Sequence, residues 1–216
     1  MSGPTKILLV DDHAIVREGY RRLLEGEAEF QVIGEAGTAA QACERARALG
    51  PDVVVMDIAL PGNSGIEATR RMLKEQPHLR ILMFSMYDDA IYASRALEAG
   101  ALGYLSKASA PEVLVRAIHA VATGERYVSP DVATNMARSA AQPGRPDLEA
   151  LTPREFEVLR LLVQGETVKS ISEKLALSEK TVANHQSAIR EKLGARNSAQ
   201  LARLASQLNL TVKPGW

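Results

Sequence analysis

Three carboxylates of this 216-residue chain stand where strands should end. Val53-Val54-Val55-Met56 is a strand-like apolar run that finishes on Asp57 and breaks into Leu60-Pro61-Gly62. Ile7-Leu8-Leu9-Val10 finishes in the same way on Asp11-Asp12. Parallel strands ending on acids deliver those acids together at the carboxyl edge of a sheet, where ligands of open α/β sheets bind. Carboxylates crowded there repel one another, and a hard divalent cation with oxygen ligands relieves the repulsion. These residues alone leave a second reading open, because an acid after a strand also caps the helix that follows.

The elements that must position these acids are written in the alternation of apolar runs and helical patterns through residue 123, the signature of βα units and a parallel sheet. Strands are predicted at 6–10, 30–35, 52–57, 79–85 and 102–105. The third is almost continuously apolar, as a strand covered on both faces must be. Thr38 with Gln41, Ser64 with Glu67, and Ser109 with Glu112 have capping-box spacing, and Pro111 suits a first helical turn. Five strands and five helices make one doubly wound domain over 1–123. Gly124, Pro130, the run Gln142-Pro143-Gly144-Arg145-Pro146 and a stretch of small residues mark 124–149 as a semi-flexible linker, with a short helix from Ser129 to about Arg138. Thr152-Pro153-Arg154-Glu155 then opens a new domain over 150–216 with a capping box and a first-turn proline. Four short helices are expected there, at about 153–164, 167–176, 179–193 and 197–208. Gly165 and Gly194 act as stops, and Ser178 and Asn197 as N-caps.

Composition limits what these domains can meet. The chain has 46% apolar, 4% aromatic and 24% charged residues and a formal net charge of zero. That zero conceals a split. Residues 1–123 carry 13 Lys/Arg against 16 Asp/Glu, whereas residues 150–216 carry 10 against 6 and no Asp. An acidic front and a basic tail imply separate partners, a cation for one and a polyanion for the other. The single cysteine, Cys43, excludes an internal disulfide, fits a reducing compartment, and reads as a small buried residue of a helix. No apolar run approaches the roughly 20 residues of a membrane span, so no membrane partner and a cytoplasmic location are expected.

From about Lys6 to Val121 the chain resembles a response-regulator receiver domain. The resemblance rests on Leu9-Val10-Asp11-Asp12-His13, on Val55-Met56-Asp57-Ile58-Ala59-Leu60-Pro61-Gly62, on Ser85, and on Tyr104-Leu105-Ser106-Lys107. It implies a flavodoxin-like five-stranded fold in which Asp57 accepts a phosphoryl group, as carboxylate nucleophiles can. Asp11 and Asp12 would share Mg²⁺ with Asp57 and the Ala59 carbonyl, and Lys107 would meet a phosphoryl oxygen. Ser85 would donate to the acyl phosphate, and Tyr104 would be a switch aromatic that turns inward when Ser85 moves. An aspartyl-phosphate hydrolase is the enzymatic competitor, but it needs a second acid two residues after the nucleophile, where this chain has Ala59. The reading is therefore not an enzyme, beyond its own phosphorylation and dephosphorylation on Asp57. A small Ala59 would leave the site open, Tyr87 would shield it from water, and His13 begins the first helix rather than taking part in catalysis.

From about Leu151 to Ala205 the chain resembles the helix-turn-helix domain of LuxR-type regulators. Leu151-Thr152-Pro153-Arg154-Glu155, Leu177-Ser178-Glu179-Lys180-Thr181-Val182, Asn184-His185, Glu191-Lys192-Leu193-Gly194 and Arg196-Asn197 carry the likeness. Together the two halves resemble the NarL/FixJ response regulators. On the helix 179–193, Val182, Ile189 and Leu193 fall on the core face, with His185 or Gln186 between them. The groove face then carries Lys180, Ala183, Asn184, Ser187 and Arg190 or Glu191. DNA contacts are expected from Lys169, Ser178, Lys180, Thr181, Asn184, Ser187, Arg190 and Arg196. The family often has basic residues where this chain has Ala183 and Ser187. Leu201, Leu204 and Leu208 form a stripe, with Ala205, that either pairs two DNA-binding domains or faces the domain's own core. The expected function is a transcription regulator phosphorylated by a cognate histidine kinase, binding double-stranded DNA as a homodimer when phosphorylated. The competing reading is a phosphorylation-independent DNA binder with a vestigial receiver.

Overall fold

The computed structural model describes residues 3–61, 64–86, 90–140, 150–175, 177–195 and 200–201. The chain divides into two compact units, Met1–Ala137 and Arg138–Trp216.

In the first unit the apolar runs become parallel strands β1 (Thr5–Val10), β2 (Phe30–Ala36), β3 (Val53–Met56), β4 (Arg80–Ser85) and β5 (Gly103–Ser106). Helices α1 (Ala14–Glu25), α2 (Ala39–Leu49), α3 (Gly65–Glu75), α4 (Ala90–Glu98) and α5 (Pro111–Thr123) alternate with them. With a further short strand, β6 (Tyr127–Val128), the sheet order is β2-β1-β3-β4-β5-β6. Because β1 has β2 on one side and β3 on the other, the order reverses at β1/β3, and the crevice beyond their carboxyl ends is the place for a ligand. Alternate residues Ile7, Leu9, Val53, Val55, Leu82 and Phe84 join Leu24 of α1 and Leu114, Ile118 and Val121 of α5 in one buried cluster. The intervening Leu8, Val54, Ile81 and Met83 are equally inaccessible on the opposite face. Burial of both faces explains why β3 shows no alternation in the sequence.

Two local expectations need correction. The sheet has six strands, not five: β6 (Tyr127–Val128) pairs with β5 inside the stretch read as linker. Gly103 permits this, since a Cβ there would stand 2.9 Å from the Tyr127 carbonyl oxygen. The helix expected in that stretch is α6 (Pro130–Ala140), with Val132 fully buried. The second correction is that Ser109 does not cap α5. Pro111 takes the first turn and holds Ala110 in the extended conformation, so Ala110 is the N-cap and supplies no side-chain bond. Thr38 and Ser64 do cap their helices, accepting from the Gln41 and Ile66 N–H groups.

The second unit contains α7 (Pro153–Val163), α8 (Val168–Leu175) and α9 (Glu179–Lys192). Thr152 and Glu155 form the reciprocal capping box. Gly165 (φ 82°) and Gly194 (φ 65°) take the left-handed conformation that ends a helix. Phe156, Leu159, Ile171, Val182 and Ile189 build its core. Of the helix expected at 197–208, only residues 200 and 201 are described. No helix among the described residues is long and apolar enough to cross a membrane.

Candidate functional site

The register of the sheet assembles the carboxylate site. Val10 is opposite Met56, so Asp11 and Asp57 leave their strands side by side, and the Asp57 N–H donates to the Val10 carbonyl at 2.9 Å. Ser85 is opposite Ser106, which places Lys107 one step beyond the same edge, its N–H donating to the Ser85 carbonyl at 2.7 Å. The Lys107 ammonium lies 2.5 Å from Asp11 Oδ2 and 2.6 Å from Asp57 Oδ2. All three side chains are nearly inaccessible, at 5% for Lys107, 7% for Asp11 and 5% for Asp57. Burial pushes the Asp57 carboxyl up, and the Asp11 charge adds to this while Lys107 opposes it. Burial acts the other way on Lys107, but the two carboxylates more than offset it and hold the ammonium protonated.

The remaining predicted members take different places around this trio. Asp12 turns outward to His13, whose Nδ1 lies 2.7 Å from Asp12 Oδ1. His13 itself is the residue that precedes α1, as expected. The Ala59 N–H donates to Asp57 Oδ1 at 3.2 Å. Ser85 and Tyr104 are both fully buried, Tyr104 with its ring inside the fold. Tyr87 and Gly62 lie outside the described residues.

The donor set fits a hard divalent cation. Two buried carboxylates, Asp11 and Asp57, share one ammonium and Asp12 stands beside them, leaving negative charge in excess, and oxygen is the ligand Mg²⁺ prefers. Asp11, Asp12 and His13 present ligand atoms within 4.8 Å of one another.

Two supports of the site were not anticipated. A Cβ on Gly65 would stand 1.9 Å from the Asp57 carbonyl oxygen, so α3 begins against the Asp57 loop only because residue 65 is glycine. Its signal was a glycine directly after a capping serine. Arg17 donates from Nη1 to the Asp11 carbonyl at 2.5 Å and from Nε to Glu35 at 2.8 Å, clamping the end of β1. No short sequence pattern marks that pair.

In the second unit, α9 turns as expected. Val182 and Ile189 are fully buried, whereas Lys180, Ala183, Asn184 and Ser187 form an exposed stripe at helical spacing. Ser178 caps the helix by accepting from the Thr181 N–H at 3.0 Å. Lys169 of α8 is exposed, and Thr181 and Arg190 are half-buried. Arg190 donates to Ser187 Oγ at 3.3 Å. At the far end of α9, Lys192 pairs with the buried Glu155 at 2.7 Å and so ties α9 to the capping box of α7. Leu201 is buried, at 3% exposure. Arg196, Leu204 and Leu208 lie outside the described residues.

Comparison with known proteins agrees with both halves. Residues 7–119 match the response regulator receiver domain, and residues 149–205 match the luxR family of bacterial regulatory proteins. The response regulator GacA of Pseudomonas aeruginosa is 39% identical over 202 residues, 93% of this chain and 94% of its own. The response regulator UvrY of Escherichia coli K12 is 37% identical over 201 residues, 92% of each chain. Among solved structures, RcsB from Salmonella enterica serovar Typhimurium, bound to promoter rprA in the presence of phosphomimetic BeF3⁻, superposes with a TM-score of 0.69. It is 27% identical, and the likeness covers 94% of this chain and 99% of that one.

Proposed function

We propose that this chain, which belongs to the response regulators joining a receiver domain to a LuxR-type DNA-binding domain, accepts a phosphoryl group on Asp57 and thereby controls its binding to DNA. The observation that carries the reading is the single ammonium of Lys107 shared between two buried carboxylates at the sheet's switch point. An oxygen of Asp57 attacks phosphorus as the bond to the donor's leaving group breaks, and that group departs with the electron pair. Mg²⁺ held by Asp11, Asp12, Asp57 and the Ala59 carbonyl would supply charge neutralisation for the phosphoryl oxygens. Lys107, released from one carboxylate, meets a phosphoryl oxygen as a point charge. Ser85, on the neighbouring strand end, turns its hydroxyl to the acyl phosphate, and Tyr104 responds within the core. The phosphodonor in the cell is a cognate histidine kinase, and the protein works in the cytoplasm.

The DNA reading rests on the exposed stripe of α9. Asn184 and Ser187 face the major groove, with Ser178 and Thr181 at the helix start and Lys169, Lys180, Arg190 and Arg196 on phosphates. Residues 1–123 act as receiver, 124–149 as a connection whose first part adds β6 to the receiver sheet, and 150–216 as DNA-binding domain. Phosphorylation favours a homodimer, whose two weakly basic domains together gain affinity that neither has alone. Intact-mass measurement after incubation with acetyl phosphate tests the chemistry. One phosphoryl group should appear on the wild type with Mg²⁺ and none on Asp57→Asn; equal labelling of the variant would remove Asp57 from this role.

A further inference from the structure

The first unit holds a cleft of about 510 Å³ that the carboxylate chemistry does not use, between α1, α2 and the edge strand β2. Arg17 and Arg21 of α1 and Arg45 of α2 line it, against one acid, Glu35. The Glu35 carboxylate is gripped by Arg17 Nε at 2.8 Å and Arg21 Nη1 at 3.2 Å, the fork geometry that oxyanions take between guanidinium groups. Hydrogen bonding from Arg17 holds this carboxyl below its ordinary range. Arg45, contributed by α2, lines the same cleft and has no ion-pair partner among the described residues. Gln41 takes the Gly37 N–H on its carbonyl oxygen at 2.9 Å, which leaves its NH₂ as a further donor.

We infer that this arginine-lined cleft binds a small phosphate-bearing anion. The lining sums to two positive charges, which a phosphate monoester, at about −1.5 to −2 near pH 7, matches better than a monocarboxylate does. The volume lies in the range of small-molecule sites. An added peptide strand is the weaker occupant, because the β1–β2 register slips between Ile7 and Leu8 and breaks the regular edge that strand addition needs. Arg17 arrives pre-positioned, only 18% exposed and also bonded to the Asp11 carbonyl, so little side-chain freedom is lost on binding.

The test is an NMR titration of the full chain with inorganic phosphate in metal-free buffer, following backbone amides. Saturable shifts at Glu35, Gly37 and Arg45 are expected. Arg45→Gln should weaken binding about tenfold, and Glu35→Gln, which removes the internal competitor, should strengthen it by a similar factor. Arg45 is exposed, so its replacement leaves the fold intact. Shifts confined to Asp57 and Lys107, an unchanged affinity in Arg45→Gln, or no saturation in the wild type would each overturn the proposal. None of these outcomes depends on phosphorylation of Asp57.

Discussion

Removing the Lys107 ammonium should destabilise the receiver unit in a way that depends on pH and metal. Lys107→Met keeps the length and apolar stem of the side chain but leaves Asp11 and Asp57 as two buried carboxylates without their shared cation. Deleting one partner of a buried ion pair costs about 3–5 kcal/mol. Asp57, already pushed up by burial, can escape part of this by taking a proton, so the lower end applies, about 3 kcal/mol. For a unit of this size 1 kcal/mol moves Tm by roughly 4 °C, which makes the expected drop roughly 12 °C at pH 7.5 without metal. In the variant, a carboxyl with a raised folded-state pKa favours the folded state more as pH falls, so the deficit should shrink toward pH 5. In the wild type the Lys107 ammonium is held above its ordinary pKa of 10.5, so its contribution persists through neutral pH and is lost only on raising the pH beyond that value. Millimolar Mg²⁺ should also restore stability to the variant, because a cation that binds the folded state stabilises it by mass action. Differential scanning calorimetry across pH, with and without Mg²⁺, measures all of these. A variant that melts with the wild type at pH 7.5 without metal would refute the pairing.

Other substitutions separate positioning from chemistry. Gly65→Ala forces its Cβ against the Asp57 carbonyl oxygen, where 1.9 Å is available, so the Asp57 loop must shift; acetyl phosphate labelling should fall at least tenfold while far-UV circular dichroism persists. On α9, Asn184→Ala should cost about 1–3 kcal/mol on the specific duplex and little on a scrambled one. Lys180→Ala should weaken both alike and reduce the salt slope by roughly one unit, as salt-series titrations would show. Glu155, held below its ordinary range by Lys192 and the Thr152 N–H against the opposing effect of burial, contributes stability above the unfolded carboxyl pKa. That contribution is lost as pH falls through the lower folded-state value, so acid unfolding of the second unit should flatten in Glu155→Gln.

How far the chain could be read in advance depended on the reach of each interaction along the sequence. Asp11 and Asp57 were legible because each directly follows an apolar run, and parallel strands bring such positions to one edge whatever the details of packing, whereas Lys107 follows Ser106 and was singled out by the resemblance to receiver domains. The face of α9 was legible because Val182 and Ile189 fix its rotation. β6 was not, since two residues, Tyr127 and Val128, are too short to register as a strand and exist as one only by pairing with β5. Gly65 escaped notice because its importance lies in a through-space approach to Asp57 rather than in its own helix. Arg17 with Glu35 and Lys192 with Glu155 join residues 18 and 37 positions apart, and no local pattern announces such pairs. The Leu201 stripe was ambiguous for a different reason, because a helix facing its own core and one facing a partner show the same periodicity.

The most direct measurement is the affinity for a specific duplex, with and without acetyl phosphate and Mg²⁺, in wild type and Asp57→Asn. Control of DNA binding through Asp57 requires the wild type to bind at least tenfold more tightly when phosphorylated and Asp57→Asn to show no change. Equal affinity in all four conditions, with intact mass confirming the phosphoryl group on the wild type, would mean a DNA binder indifferent to its own receiver and would contradict the proposed function.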